Sequence, residues 1–106
     1  MPHIVVFHSL GRDADLKNLL HNLHESLSAQ ESVNKSQLKT YALPLQSWIV
    51  GDKTRPDEMI HIQLRMKPGR SEQIKKSMSQ DLHDVTRAFV NRACSVSVEI
   101  CELEDA

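Results

Sequence analysis

The second residue of the chain, Pro2, offers the most distinctive chemistry in this sequence. Removal of Met1 would convert its nitrogen from an amide to a free secondary amine, which can take up a proton and then return it. Taken alone, a proline here more often marks only the start of an edge strand. Its placement directly before the apolar run that begins at Ile4 favours chemistry, because a strand would hold the nitrogen at a fixed point in dry surroundings.

Two arginines, Arg12 and Arg70, each follow a glycine at a predicted turn between a strand and a helix. The amino-terminal end of a helix carries partial positive charge, so an arginine beside it favours the binding of a carboxylate. The alternative for each is an ordinary surface arginine. A base together with an anion-binding cation is the combination needed to move a proton on an organic acid.

Neither the histidines nor the cysteines predict a further reactive site. His21 and His24 share one predicted helix, but no cysteine or carboxylate joins them at the spacing of metal ligands. We therefore expect no metal and no other cofactor. Cys94 and Cys101 lie at the two ends of one predicted strand, too far apart for a disulfide, and such free thiols indicate a reducing cytoplasm.

The composition restricts the class of partner. The 106 residues are 40% hydrophobic and 25% charged, which is typical of one soluble domain over residues 1–106. The formal net charge of -1 leaves no basic excess for nucleic acid, and no apolar run is long enough to span a membrane. We expect a small anionic molecule as the partner, with neither nucleic acid nor membrane.

An internal repeat determines which elements carry the candidate residues. A shift of 58 positions carries Gly11 and Arg12 onto Gly69 and Arg70 and keeps the apolar positions in step. The two copies cover residues 2–43 and 60–103, and residues 44–57 form the linker between them. Each copy predicts a strand, a turn, an amphipathic helix and a second strand. The predicted strands cover 3–7, 38–43, 59–66 and 96–103, and the helices follow possible caps at Asp13 and Ser71.

This order of elements predicts an α+β fold. A β-helix-β crossover makes its two strands parallel, so two β-α-β units in tandem form a four-stranded mixed sheet with both helices on one face. Val5 and Phe7 would then lie on the uncovered face. An apolar face without a covering layer favours self-association, so we expect an oligomer.

Two motifs resemble the tautomerase superfamily, and within it the 5-carboxymethyl-2-hydroxymuconate isomerase family. They are Met-Pro-His at residues 1–3, followed by a hydrophobic strand, and Gly-Arg-Ser at residues 69–71 before the second helix. The resemblance extends over nearly the whole chain, including Trp48 in the linker. It implies a homotrimer whose sheets face a central barrel, a role in aromatic compound catabolism, and Pro2 as the proton carrier.

The resemblance also implies which residues hold the substrate. Arg70 matches the arginine of the family's second copy, whereas the arginine of the first copy aligns with Lys39. Lysine offers a point charge, whereas arginine offers a planar fork that fits a carboxylate. The resemblance therefore defines the substrate less closely than it defines the type of reaction. Arg12 is a further candidate for the same task.

The resulting hypothesis is an isomerase that shifts a proton in an unsaturated keto acid or dienol carboxylate, such as 5-carboxymethyl-2-hydroxymuconate. Two alternatives remain, a hydratase of the same fold and a non-enzymatic oligomeric binding module. Retention of Met1 would favour the binding module, because the nitrogen of Pro2 would then be an amide.

Overall fold

The computed structural model describes residues 2–52, 58–90 and 92–103. Met1 and part of the predicted linker, residues 53–57, therefore lie outside the described residues. No helix in the described ranges is both long and apolar enough to cross a bilayer. The strands are β1 (His3–His8), β2 (Lys39–Pro44), β3 (Glu58–Met66) and β4 (Cys94–Glu102), and the helices are α1 (Leu16–Ser28) and α2 (Glu72–Phe89).

The strands form one mixed sheet in the order β2-β1-β3-β4. Within each β-α-β unit the two strands are parallel, whereas the central strands β1 and β3 pair in antiparallel fashion. Both helices pack on the same face of the sheet and against each other. The predicted α+β fold, with a four-stranded mixed sheet and two helices on one face, is confirmed.

The hydrophobic core lies between the sheet and the two helices. Apolar side chains alternate along the strands and recur every three or four residues along the helices, so one face of each element is apolar. These faces meet in a layer from which solvent is excluded. Its fully buried members include Ile4, Val6, Leu19, Leu23, Leu27, Ile60, Ile62, Leu64, Met78 and Leu82.

The start of α1 differs from the prediction, whereas the start of α2 agrees with it. The cap of α1 is Asp15, whose Oδ1 accepts a hydrogen bond from the Asn18 amide at 3.2 Å. The predicted cap, Asp13, is wrong because Gly11 and Ala14 close a turn around it, with the Ala14 amide 3.2 Å from the Gly11 carbonyl. Ser71 caps α2 as predicted.

The uncovered face of the sheet carries both apolar and polar side chains. On the β1–β2 half, Val5 is almost fully buried among its neighbours, while Leu43 remains 44% exposed. Phe7 reaches across to β3 and stacks on His61. His61 and Glu99 join β3 to β4 through a 3.0 Å hydrogen bond, which lowers the pKa of Glu99. The apolar side chains of this face therefore lie mainly on β1 and β2.

Candidate active site

The antiparallel pairing of β1 with β3 brings the candidate base and one candidate arginine to the same corner of the sheet. His3 pairs with Arg65, so the residue before β1 lies beside the turn that follows β3. A pocket of about 170 Å³ opens at this corner. Its lining comes from the residue before β1, the last residue of β3, the α1–β2 loop and the β3–α2 turn, and comprises Pro2, Ser32, Asn34, Gln37, Met66, Lys67 and Arg70.

Pro2 is held at the mouth of this pocket by the sheet. Its carbonyl accepts a hydrogen bond from the backbone amide of Lys39 at 3.1 Å, which extends the β1–β2 pairing by one residue. The residue is half-buried, and the fully buried Ile4 follows two positions later. The proline therefore has the fixed and partly dry position that a chain-terminal base requires.

Arg70 lines the same pocket, and its hydrogen bonds to the described residues involve no acidic side chain. Its guanidinium donates to the hydroxyl and the carbonyl of Ser32 at 3.1 and 3.0 Å, and more weakly to the Lys67 carbonyl at 3.4 Å. All three acceptors are neutral, and no carboxylate of the described residues pairs with it. By contrast, Arg92 pairs with Glu58. The positive charge of Arg70 therefore remains available to an anion.

The local sequence Gly69-Arg70-Ser71 explains how this arginine is placed. Gly69 has a φ of +119°, a conformation that residues with a Cβ rarely adopt. Ser71 then caps α2 by accepting a hydrogen bond from the Ile74 amide at 3.2 Å. Arg70 thus lies between a sharp turn and a fixed helix start, which directs its side chain back towards the α1–β2 loop.

A profile of the 5-carboxymethyl-2-hydroxymuconate isomerase family matches residues 2–106. This chain belongs to that family. It is accordingly an isomerase of the tautomerase superfamily. A comparison with curated protein sequences found no significant match.

Solved structures of similar fold agree with this assignment. A 5-carboxymethyl-2-hydroxymuconate delta-isomerase superposes with a TM-score of 0.82 at 21% identity, over 100% of this chain and 87% of the other. A 5-carboxymethyl-2-hydroxymuconate isomerase from Deinococcus radiodurans R1 gives 0.85 at 25% identity, over 97% and 83%. A fused 4-OT wild-type symmetric trimer gives 0.73 at 14% identity, over 95% and 85%. At identities below 25%, the first and the last of these likenesses show the fold alone.

The other two predicted site residues of the isomerase lie outside the pocket of their own chain. Lys39 is in register with His3 on the uncovered face. Burial, followed by the charge of Lys39, lowers the pKa of His3. Arg12 is exposed in the turn after β1, at the opposite end of that strand from Pro2. Within one chain, the structure therefore brings together Pro2 and Arg70 but not Lys39 or Arg12.

The pocket also contains residues that the sequence analysis did not single out. Ser32, Asn34 and Gln37 come from the α1–β2 loop, which contains a short 3-10 helix over Lys35–Gln37 capped by Asn34 but no motif that predicts a site. Lys67 could have been predicted from the sequence, because it is a cation two residues before the Gly-Arg-Ser motif. It adds a second positive charge to the lining.

A larger groove, of about 620 Å³, lies between α2 and β4 but lacks suitable chemistry. Lys75 in its lining contacts Glu72 and Glu102 at 2.7 and 2.9 Å, and these hydrogen bonds raise the pKa of the ammonium group. The positive charge of Lys75 is therefore already paired with two carboxylates, and it is not free to bind an anionic substrate. None of the described residues that line the groove is a histidine or a cysteine.

The predicted absence of a reactive histidine or cysteine site can be compared with the contacts of these side chains. His24 hydrogen-bonds Thr40 at 2.8 Å and so connects α1 to β2. Within the described ranges, no three histidine, cysteine or acidic side chains are close enough to share a metal ion. Cys94 and Cys101 are free thiols, and burial raises the pKa of both, which makes them poor nucleophiles near neutral pH.

His8 should make the stability of the isomerase depend on pH. It is buried, its Nδ1 accepts a hydrogen bond from the Leu10 amide at 3.2 Å, and burial lowers its pKa from the ordinary 6.5. Because the unfolded chain binds the proton more readily, the stabilisation is complete above about pH 6.5 and is lost as the pH falls through the lower pKa of the folded state.

Replacement of His8 by asparagine should flatten this dependence, because the amide oxygen can accept the same hydrogen bond but does not titrate. The measurement is the free energy of unfolding in urea between about pH 7 and pH 5. His21, exposed on α1, provides the matched control, and its asparagine variant should keep the original slope. An unchanged slope in the His8 variant would rule out this origin of the acid sensitivity.

Proposed function

We propose that this isomerase shifts a proton within an unsaturated keto acid or dienol carboxylate, with the amine of Pro2 as the proton carrier. The observation that supports this most strongly is the shared pocket of Pro2 and Arg70, two residues from opposite parts of the chain. One supplies a nitrogen base once Met1 is removed, and the other supplies a cation without an acidic partner among the described residues.

In the proposed reaction Arg70 binds a carboxylate of the substrate and so places the acidic proton near Pro2. The neutral amine removes that proton, and the resulting ammonium returns it to another carbon of the conjugated system. The charges of Arg70 and Lys67 disfavour the ammonium form and keep the amine ready to act as a base. The same charges stabilise the enolate-like anion that forms between the two transfers.

We propose 5-carboxymethyl-2-hydroxymuconate, a compound of aromatic catabolism, as the representative substrate, acted on in the cytoplasm. The family assignment and the structure of a 5-carboxymethyl-2-hydroxymuconate isomerase at 25% identity support this choice. The pocket lining agrees with it, because Lys67 and Arg70 provide two cations for a molecule that carries several carboxylates. Cys94 and Cys101, both free, are compatible with a reducing compartment.

We also propose that the chain acts as a homotrimer. The fused 4-OT trimer of similar fold and the exposed Leu43 on the uncovered face support association. Lys39 and Arg12 can then bind substrate only if a second copy brings them to a Pro2 pocket, since neither reaches the pocket of its own chain.

The test is an assay of des-Met protein, verified by intact mass, with dienol carboxylates and enol forms of simple keto acids. Loss of the conjugated absorbance should accompany incorporation of solvent deuterium at a single carbon, detected by NMR in D₂O. A product heavier by one water would instead identify a hydratase. Failure of the des-Met protein to convert any member of the panel would refute the proposal and leave a binding module.

A further inference from the structure

Ser32 contacts Arg70 through both of its oxygen atoms. The Nε of the guanidinium donates to the Ser32 hydroxyl at 3.1 Å, and Nη2 donates to the Ser32 carbonyl at 3.0 Å. Nε and Nη2 form one edge of the planar group, so a single residue occupies that whole edge. The remaining contact, from Nη1 to the Lys67 carbonyl, is long at 3.4 Å.

The occupied edge determines what a ligand can reach. Arginine has five N–H groups and can hold a carboxylate through two parallel hydrogen bonds at either exposed edge. With the Nε and Nη2 edge on Ser32, the two terminal nitrogens each keep a second N–H group. The edge formed by Nη1 and Nη2 has only the long Nη1 contact to the Lys67 carbonyl, so it is the edge that an incoming carboxylate can occupy.

Ser32 can orient the guanidinium because its own loop is fixed on both sides. The side chain of Gln30 donates to Asp81 of α2 at 2.9 Å, which ties the start of the loop to the second helix. Val33 packs against the core, and its amide donates to the Gln30 carbonyl at 3.1 Å. Ser32 therefore lies between two anchored residues, although it is itself exposed.

We propose that Ser32 is a positioning residue that presents the Nη1 and Nη2 edge of Arg70 to a carboxylate of the substrate. This inference rests on the proposed function. A free arginine side chain must be ordered when it binds a ligand, and that lost freedom weakens binding. By holding the guanidinium beforehand, Ser32 removes this cost from the binding step without touching the substrate.

The experiment measures binding of cis,cis-muconate, a dicarboxylate that lacks the hydroxyl group needed for tautomerisation. Ser32→Ala should raise its Kd by about three- to tenfold in calorimetric titrations, because one of the two hydrogen bonds is lost. Ser32→Thr retains a hydroxyl group and should restore the wild-type Kd. The control Ser28→Ala removes a hydroxyl that donates to the Glu25 carbonyl, away from Arg70, and it should leave the Kd unchanged.

Turnover provides a second readout that a merely structural role would not reproduce. Ser32→Ala should raise KM by the same factor while kcat stays within about twofold, since the residue acts on binding rather than on proton transfer. In an Arg70→Lys background, Ser32→Ala should have no additional effect on the Kd of muconate, because the ammonium group of lysine has no planar edge that Ser32 could orient.

An unchanged Kd in Ser32→Ala, an equal rise of the Kd in the Arg70→Lys background, or no muconate binding by the wild-type protein would overturn the inference. Failure of the proposed function looks different. In that case dienols are not converted, while muconate still binds and its Kd still depends on Ser32.

Discussion

Replacement of Pro2 by alanine is expected to lower kcat for dienol conversion by about a hundredfold or more. The variant keeps a chain-terminal amine after removal of Met1, but it loses the ring that fixes the direction of the nitrogen lone pair. A misplaced catalytic group costs about this much in rate. Because Pro2 extends the β1–β2 pairing only through its carbonyl, the melting temperature should change little. Stopped-flow or steady-state absorbance assays of the two des-Met proteins make the comparison.

A preparation that retains Met1 gives the internal control for this result. Its Pro2 nitrogen is an amide and cannot take up a proton, so the activity of mixed preparations should rise in proportion to the des-Met fraction measured by intact mass. Activity that is independent of this fraction would exclude Pro2 as the base, even if the alanine variant were slow.

Replacement of Arg70 by alanine should reduce kcat/KM by about a hundred- to a thousandfold, the range found when a single charged or oriented donor is removed from a site where negative charge develops. Arg70→Lys should recover only part of the loss, since a point charge lacks the planar fork. The effect should be largest for substrates with the most carboxylates, because they depend most on the cations of the pocket.

Arg87 is the matched control for this substitution. It lies on α2, is exposed, and like Arg70 donates to a neutral backbone oxygen, here the carbonyl of Cys94 at 3.1 Å. Its alanine variant should keep kcat/KM within about twofold of the wild type. Equal losses in the two arginine variants would mean that general electrostatics, rather than the position of Arg70, determines the rate.

The fold could be predicted largely because its patterns are local. Alternating side chains along residues 59–66 and helical spacing from Ile74 to Phe89 each define an apolar face without reference to the rest of the chain. The cap of α1 could not be chosen in this way. Asp13 and Asp15 are chemically equivalent caps, and only the turn closed by Gly11 and Ala14 distinguishes them.

The site could be predicted only in part, for a related reason. Pro2 and Arg70 belong to motifs that can be recognised in the sequence. The repeat makes Arg12 look equivalent to Arg70. The antiparallel pairing of β1 with β3 distinguishes them, because it places Arg70 near Pro2 and Arg12 at the other end of β1. Ser32 belongs to a loop without a motif. Its position depends on the packing of Val33 and on the bond from Gln30 to α2, both of which are tertiary contacts.

That antiparallel pairing gives the sheet two corners built by similar halves of the sequence. A tandem duplication can copy every side chain, but it cannot copy a chain terminus. The residue that aligns with Pro2 in the second half is Ile60, which is fully buried inside β3 and carries an ordinary peptide nitrogen. Under the proposed mechanism the two halves therefore divide their tasks. One corner keeps the base, and the other, with Arg12, is released from selection for proton transfer and is free to diverge.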